Sequence, residues 1–396
     1  MLDVWPVLPV VIKHDCTSYE STYPFLDTWG NIAGALESEH RHRICAIHFP
    51  LIPTSHRERL AAAMQKPFPE LTSLQFWVAK NTVMSLRDSF LGGLAPLLRH
   101  LVLGNCPFPG IPKLLLSANQ LVVLNLFNIP NSGYISPQDL VTALSVMSRL
   151  EILRLEFQSP RYPEGRPSPP LTPSVLSALT ELVFQGVHEY LEDLLAHIEA
   201  PLLNILDVTF FMDIDFVIPQ LHRLINQAES SKTCDRATVY TSDRAIRITI
   251  LGITNRLLKL SVEISCRELD WQLASLAQVC SSSFPLLSTL VQLDITDRVP
   301  QSHWKDDMEA TQWLELLDPF AAVRDLHLSD QVAPHVCQAL EELADERVTE
   351  VLPALQNILL SGIQPLGSVP KCIEAFVAAR NLSGHPVAVH CWKNRT

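Results

Sequence analysis

Glycine is scarce in this chain: 13 of 396 residues. Loops that cradle phosphate or turn sharply under a dinucleotide need glycine where the backbone approaches its ligand. No G-x-G-x-x-G, P-loop, G-x-S-x-G or H-E-x-x-H occurs. No enzymatic activity and no cofactor is therefore expected. Charge is also sparse, at 18% of residues, and its balance is −12. Binding to nucleic acid needs a basic surface, so such a partner is not expected. No apolar run reaches the roughly 18 residues that a spanning helix needs, so no membrane partner is expected either. Met1–Ile12 is apolar but lacks a basic start and contains Pro6 and Pro9, unlike a secretory leader. The nine cysteines are odd in number, scattered and never spaced C-x-x-C. That pattern fits reduced thiols, so a cytoplasmic or nuclear location is expected. Without a leader, the sequons at Asn381 and Asn394 read as accidental.

What the chain does have is leucine in a recurring phrase. Leu121, Leu124 and Leu126 are apolar at i, i+3 and i+5, and Leu150, Leu153 and Leu155 repeat the pattern. The phrase recurs at Ile44/Ile47/Phe49, Leu71/Leu74/Phe76, Leu98/Leu101/Leu103, Leu179/Leu182/Phe184 and Leu203/Leu206/Val208. It returns at Leu257/Leu260/Val262, Leu290/Leu293/Ile295, Val323/Leu326/Leu328 and Leu355/Ile358/Leu360, for eleven copies in all. Steps run from 23 to 33 residues, except one of 54 between Leu203 and Leu257, which is long enough for two units. Alternation at the end of each phrase marks a strand with one buried face. One such unit cannot bury its own edge, but stacked copies can. The expected fold is an α/β leucine-rich-repeat solenoid of about eleven to thirteen repeats, a curved parallel sheet backed by helices, in one domain over residues 1–396.

Along the chain, Val7–Ile12 reads as a first strand and Asp27–His40 as a helix. Ser55 and Glu58 have capping-box spacing before a helix over Arg57–Gln65. Ser136-Pro137 opens a helix over Pro137–Met147, with proline at the first helical position. Tyr190–Ile198 carries an apolar helical stripe. Ser159–Pro173 holds six prolines and reads as an exposed loop. Met212–Leu251 breaks the rhythm. It reads as an irregular insertion containing a strand–turn–strand excursion near residues 230–255. Helices follow over Trp271–Val279, Asp306–Leu317, Ala333–Ala344 and Pro370–Ala379, and Val387–Trp392 reads as a capping strand.

Several stretches resemble the F-box/leucine-rich-repeat proteins of mushroom-forming (basidiomycete) fungi. They are Ala62–Leu74 (AAMQKPFPELTSL), Ile264–Ile295, Asp306–Leu328 (DDMEATQWLELLDPFAAVRDLHL), Val351–Gly362 (VLPALQNILLSG) and Phe376–Trp392 (FVAARNLSGHPVAVHCW). The resemblance implies a repeat domain that selects a protein target for a cullin-type ubiquitin ligase. It covers the repeat region only. No F-box module is identified, because Leu8-Pro9 runs straight into Val10-Val11-Ile12-Lys13, which reads as a strand. The ligase adaptor is thus expected as a partner only if an F-box lies upstream. The asparagine or cysteine that usually closes each repeat is also nearly missing, with only Cys106 in that place.

The candidate site is the solvent side of the sheet, where residues between the apolar positions point outward. Early repeats offer Trp77, His100 and Phe127. Middle repeats offer Arg154, Glu156, Glu181 and Asp207, and late ones Glu263, Asp294 and Asp325. This face runs from aromatic to acidic, and suggests a protein target with a basic, extended segment. The alternative is a small-molecule sensor roofed by Ser159–Pro173 or Val299–Trp304, and a free-standing scaffold is a third reading. His385 and His390 are an odd number apart on a strand, so they face opposite ways and no metal site is expected.

Overall fold

The computed structural model describes residues 8–14, 28–52, 54–78, 86, 89–107, 111–160, 173–211, 218–227, 234–252, 259–266, 269–297, 310–343, 347–361 and 371–392. The chain divides into two compact units, Met1–Leu203 and Asn204–Thr396. Both are built as leucine-rich-repeat stacks of the α/β class.

In the first unit the strands are β1 (Val10–Lys13), β2 (Ile44–Ile52), β3 (Ser73–Val78), β4 (His100–Gly104), β5 (Val123–Ile129) and β6 (Ile152–Phe157). They are followed by β7 (Ser174–Val175), β8 (Glu181–Gly186) and β9 (Ile198–Glu199). β1 to β6 and then β8 pair side by side, all parallel. β7 and β9 make a separate two-stranded parallel pair. The repeated phrase now has a physical cause. Its first leucine closes a tight turn, its amide donating to the carbonyl three residues earlier: Leu71 to Phe68, Leu98 to Ala95, Leu121 to Ala118, Leu150 to Met147 and Leu179 to Leu176, at 3.1–3.2 Å. The second and third positions then occupy the buried face of the strand. Leu74, Phe76, Leu101, Leu103, Leu124 and Leu126 have no exposed surface. Register aligns these positions from strand to strand, so stacking makes one continuous core.

The helices fill the other layer. Pro137–Leu144 begins as expected, with Ser136 Oγ accepting the Asp139 amide at 3.1 Å. The capping box at Ser55 does not form. Thr54–His56 is a 3₁₀ turn, and the helix Arg57–Ala63 starts from His56 without a side-chain cap. Tyr190 and its neighbours lie on His188–Leu195 and are buried. The Tyr190 hydroxyl donates to the Ile135 carbonyl at 3.0 Å.

In the second unit the strands are β10 (Ile205–Phe211), β11 (Cys234–Thr241), β12 (Ala245–Gly252), β13 (Lys259–Ser265), β14 (Gln292–Asp297), β15 (Asp325–Ser329), β16 (Asn357–Ser361) and β17 (Ala388–Trp392). Their spatial order is β10-β13-β12-β11-β14-β15-β16-β17. The strand–turn–strand excursion is present, but it is a full part of the sheet. β11, β12 and β13 form an antiparallel meander. Its outer members pair in parallel with β10 and β14. The phrase at Leu260/Val262 thus belongs to an ordinary repeat strand on one side and to the meander on the other. Ser242 shapes the hairpin, its Oγ accepting the Ala245 amide at 3.1 Å while its own amide donates to the Ala245 carbonyl at 2.9 Å. The helix Leu269–Ser283 packs against β12 and β13 and is longer than the sequence suggests. Helices Pro219–Gln227, Ala310–Leu317, Ala333–Glu341 and Lys371–Leu382 complete the layer. Arg380 on the last is fully buried. Its guanidinium donates to the carbonyls of Val348, Pro353 and Leu355 at 3.2, 3.3 and 3.1 Å and sits 5.9 Å from the Phe376 ring. Burial lowers its pKa from the usual arginine value.

Residues 161–172 of the proline-rich stretch, the margins of the insertion at 212–217, 228–233 and 253–258, and the roof candidate Val299–Trp304 lie outside the described residues. No helix among the described residues is long and apolar enough to cross a membrane.

Candidate functional site

Register places every outward residue in a row running across the strands. In the first unit one row passes through Trp77, Gly104 and Phe127. Gly104 explains their meeting. A Cβ on Gly104 would lie 2.2 Å from the Phe127 ring, so the ring lies flat across β4 where that side chain would be. It meets Trp77 edge-to-face with centroids 5.7 Å apart. Both aromatics are half-buried. Sequence reading found the two aromatics but missed the glycine between them. Its signal is a glycine at an outward strand position flanked by aromatics in the neighbouring repeats. Beside this pair, Val102, Val123, Ile152 and Val183 also face outward and are half-buried. These apolar side chains share the open face with His48, Ser73, Gln75, Asn125, Arg154 and Glu181.

Two pairs of its polar residues are in close contact, while Asn125 Oδ1 is buried without a hydrogen-bond partner among the described residues. Arg154 Nη2 lies 2.6 Å from Glu181 Oε1, and Arg154 Nε donates to the same oxygen at 2.7 Å. His48 Nε2 is 2.9 Å from Ser73 Oγ. Burial, and then the charges of Lys13 and His100, lower the His48 pKa from its usual value. His100 is exposed, and Glu156 is half-buried at the end of β6.

The second unit presents a different face. Asp207 meets Lys259 at 2.7 Å, and Glu263 meets Arg247 at 2.6 Å. Asp294 accepts from Gln292 at 2.9 Å and has His327 at 3.4 Å, with Arg236 at the longer distance of 3.9 Å. Asp325 accepts from Asn357 at 2.7 Å. The sequence reading listed these acids without Arg236 and Arg247, which the meander brings onto the same side. Alternation in Ala237/Val239 and Ile246/Ile248/Ile250 already points both arginines outward. Between the paired charges runs a hydroxyl row, Ser261, Thr249 and Thr238, aligned across three strands. It faces outward yet is no more than 8% exposed. Among the described residues of the second unit, Asp207, Glu263 and Asp294 each lie against a basic or imidazole side chain, while Asp325 accepts from a neutral amide.

Among the described residues no group of three histidine, cysteine or carboxylate side chains is placed to hold a metal. An open depression of about 380 Å³ lies at the entry to β3–β5, lined by Thr72, Pro96, Leu97, Arg99, Asn119 and Gln120.

No family model and no curated protein matches the chain. Among solved structures, the leucine-rich repeat-containing protein LegL7 from Legionella pneumophila is similar. It is 15% identical over 91% of this chain and 96% of that one, with a TM-score of 0.31. The repeat assignment itself rests on the register and burial described above.

Proposed function

We propose that the chain is a non-catalytic protein-binding repeat domain that docks its target on the open side of the first unit's sheet. The observation that carries this reading is the Trp77–Phe127 pair laid over Gly104 and bordered by half-buried aliphatic side chains. Half-buried aromatics on a rigid sheet supply contact area at little conformational cost, and such residues dominate binding energy where they are found. The likeness to F-box/leucine-rich-repeat proteins supports target selection for a cullin-type ligase as the setting. Because Asp207, Glu263 and Asp294 already have basic or imidazole neighbours, the target's anchor is apolar and its charge is secondary.

The test is quantitative capture from a cell extract by the whole chain, with Trp77→Ala and Phe127→Ala chains beside it. The retained proteins should fall away together in both variants, and with an isolated target the dissociation rate should rise at least tenfold. Unchanged retention by both variants, with melting temperatures unchanged, refutes this face as the docking site.

A further inference from the structure

The turns that precede the strands of the first unit form a second ordered edge. Backbone bonds fix their spacing. The Arg99 amide donates to Thr72, Val122 to Arg99, and Glu151 to Val122, at 2.8–2.9 Å. Two residues upstream of these rungs stand the turn tips, which therefore follow one another as Glu70, Leu97, Gln120 and Arg149. Behind them, the Ala95 amide donates to Ser117 Oγ at 2.9 Å and ties neighbouring turns together. This edge is unusually apolar for a surface. Leu94 and Leu97 on one turn, Leu116 at the end of the helix Ile111–Ser117 and Val146 on the Arg149 turn are 63%, 41%, 48% and 39% exposed. Contiguous exposed aliphatic residues of this kind mark a surface that is covered in use.

We infer that what covers it is a second copy of this chain, docked edge to edge about a twofold axis. Charge order along the edge favours such a partner. A twofold interface must be self-complementary, because each residue meets the reversed row of its partner. The axis passes between the Leu97 and Gln120 turns. Reversal then sets Glu70 of one copy against Arg149 of the other, and the same pair recurs on the far side. These residues stand three rungs apart, roughly 14 Å at strand spacing. Both are exposed, and neither has an ion-pair partner among the described residues. Arg154, Arg247 and Lys259 on the open sheet sides each meet a carboxylate within the chain, whereas these two charges have no such neighbour among the described residues. Leu94, Leu97 and Leu116 fall between the two charge pairs and Val146 stands beside Arg149, which gives an apolar centre with a charged rim. Arg99 and Glu151 follow Leu97 and Arg149 by two residues on the same segments and keep the edge balanced in sign.

Sedimentation equilibrium of the whole chain over a wide concentration range tests this. A concentration-dependent dimer is expected. Glu70→Arg or Arg149→Glu alone places like charges opposite each other twice and should weaken dimerisation at least tenfold. The chain carrying both exchanges should regain the original affinity. Leu97→Asp should give a monomer with an unchanged circular dichroism spectrum. A wild-type chain that stays monomeric at every concentration overturns the inference. So does a dimer indifferent to the single exchanges, or one that the double exchange fails to restore. None of these results depends on the Trp77 face, so failure here leaves the proposed function standing, and the converse holds.

Discussion

Gly104→Ala is the sharpest probe of the aromatic pair, because its effect should depend on whether Phe127 is present. Gly104 has no positive φ, so its extended backbone accepts a side chain without strain. Taken alone, replacing a glycine at such a site stabilises by about 0.4–1 kcal/mol, chiefly by narrowing the unfolded ensemble. In the native chain a Cβ would fall 2.2 Å from the Phe127 ring. The ring is half-buried, so it can swing aside and does not force the backbone apart. What is lost is its contact with Trp77, worth roughly 0.5–1.5 kcal/mol beyond simple burial for an aromatic pair. The two terms nearly cancel in the native background, leaving a change between about −0.5 and +1 kcal/mol in destabilisation. In a Phe127→Ala background the obstacle is gone, and Gly104→Ala should stabilise by about 0.4–1 kcal/mol. The double-mutant cycle by urea denaturation therefore isolates a coupling of roughly 0.5–1.5 kcal/mol between positions 104 and 127. Equal effects of Gly104→Ala in both backgrounds would refute the view that glycine exists here to admit the ring.

Other consequences can be measured independently. Arg380→Ala leaves three buried carbonyls without their donor and should cost about 3 kcal/mol or more by denaturant midpoint. Arg380→Lys, which cannot reach all three, should recover only part. His48 is held neutral by burial, so its folded pKa lies below the unfolded value near 6.5. Its contribution is intact above that pH and is lost as pH falls from about 6.5 toward the folded pKa. His48→Gln should flatten that part of the stability profile, and an unchanged acid limb contradicts the assignment. Arg247→Met alone strands Glu263 in a partly buried site and should destabilise by about 1–2 kcal/mol, whereas replacing both by methionine should be nearly neutral. Residues 1–396 should not capture a Skp-type adaptor, because Leu8-Pro9 leads into a strand and not a docking helix. Stoichiometric capture would overturn that expectation.

Much of this architecture was legible because one pattern carries two physical demands. The i, i+3, i+5 spacing encodes a turn closed on Leu98 or Leu121, followed by two inward strand positions, so all eleven phrases found their strands. Strand order was less accessible. The local pattern of Lys259–Ser265 is that of any repeat, and nothing within it records that two other strands intervene before β14. The site suffered for the same reason. Carboxylates were visible one by one, but the arginines that pair with them come from strands assigned to an excursion. Gly104 was hidden because its role is an absence of atoms beneath a side chain 23 residues away. The Ser55 capping box failed because its spacing is a local preference, and a 3₁₀ turn at Thr54–His56 took those residues instead.

The meander also bears on how this part of the chain reaches its fold. Ordinary repeats can assemble one after another, since each new strand finds its neighbour already in place. After β10 that growth must halt. The next strand made, β11, has no place beside it, and the true neighbour arrives 52 residues later, counting from Asp207 to Lys259. β11 in turn waits 56 residues for its parallel partner, from Arg236 to Gln292. The hairpin of β11 and β12 must therefore form as a free-standing piece and be fitted in whole. Closing such spans before any contact rewards them slows the process. The centre of the second unit is thus the last seam to seal, and once sealed it joins its flanks into a single cooperative block.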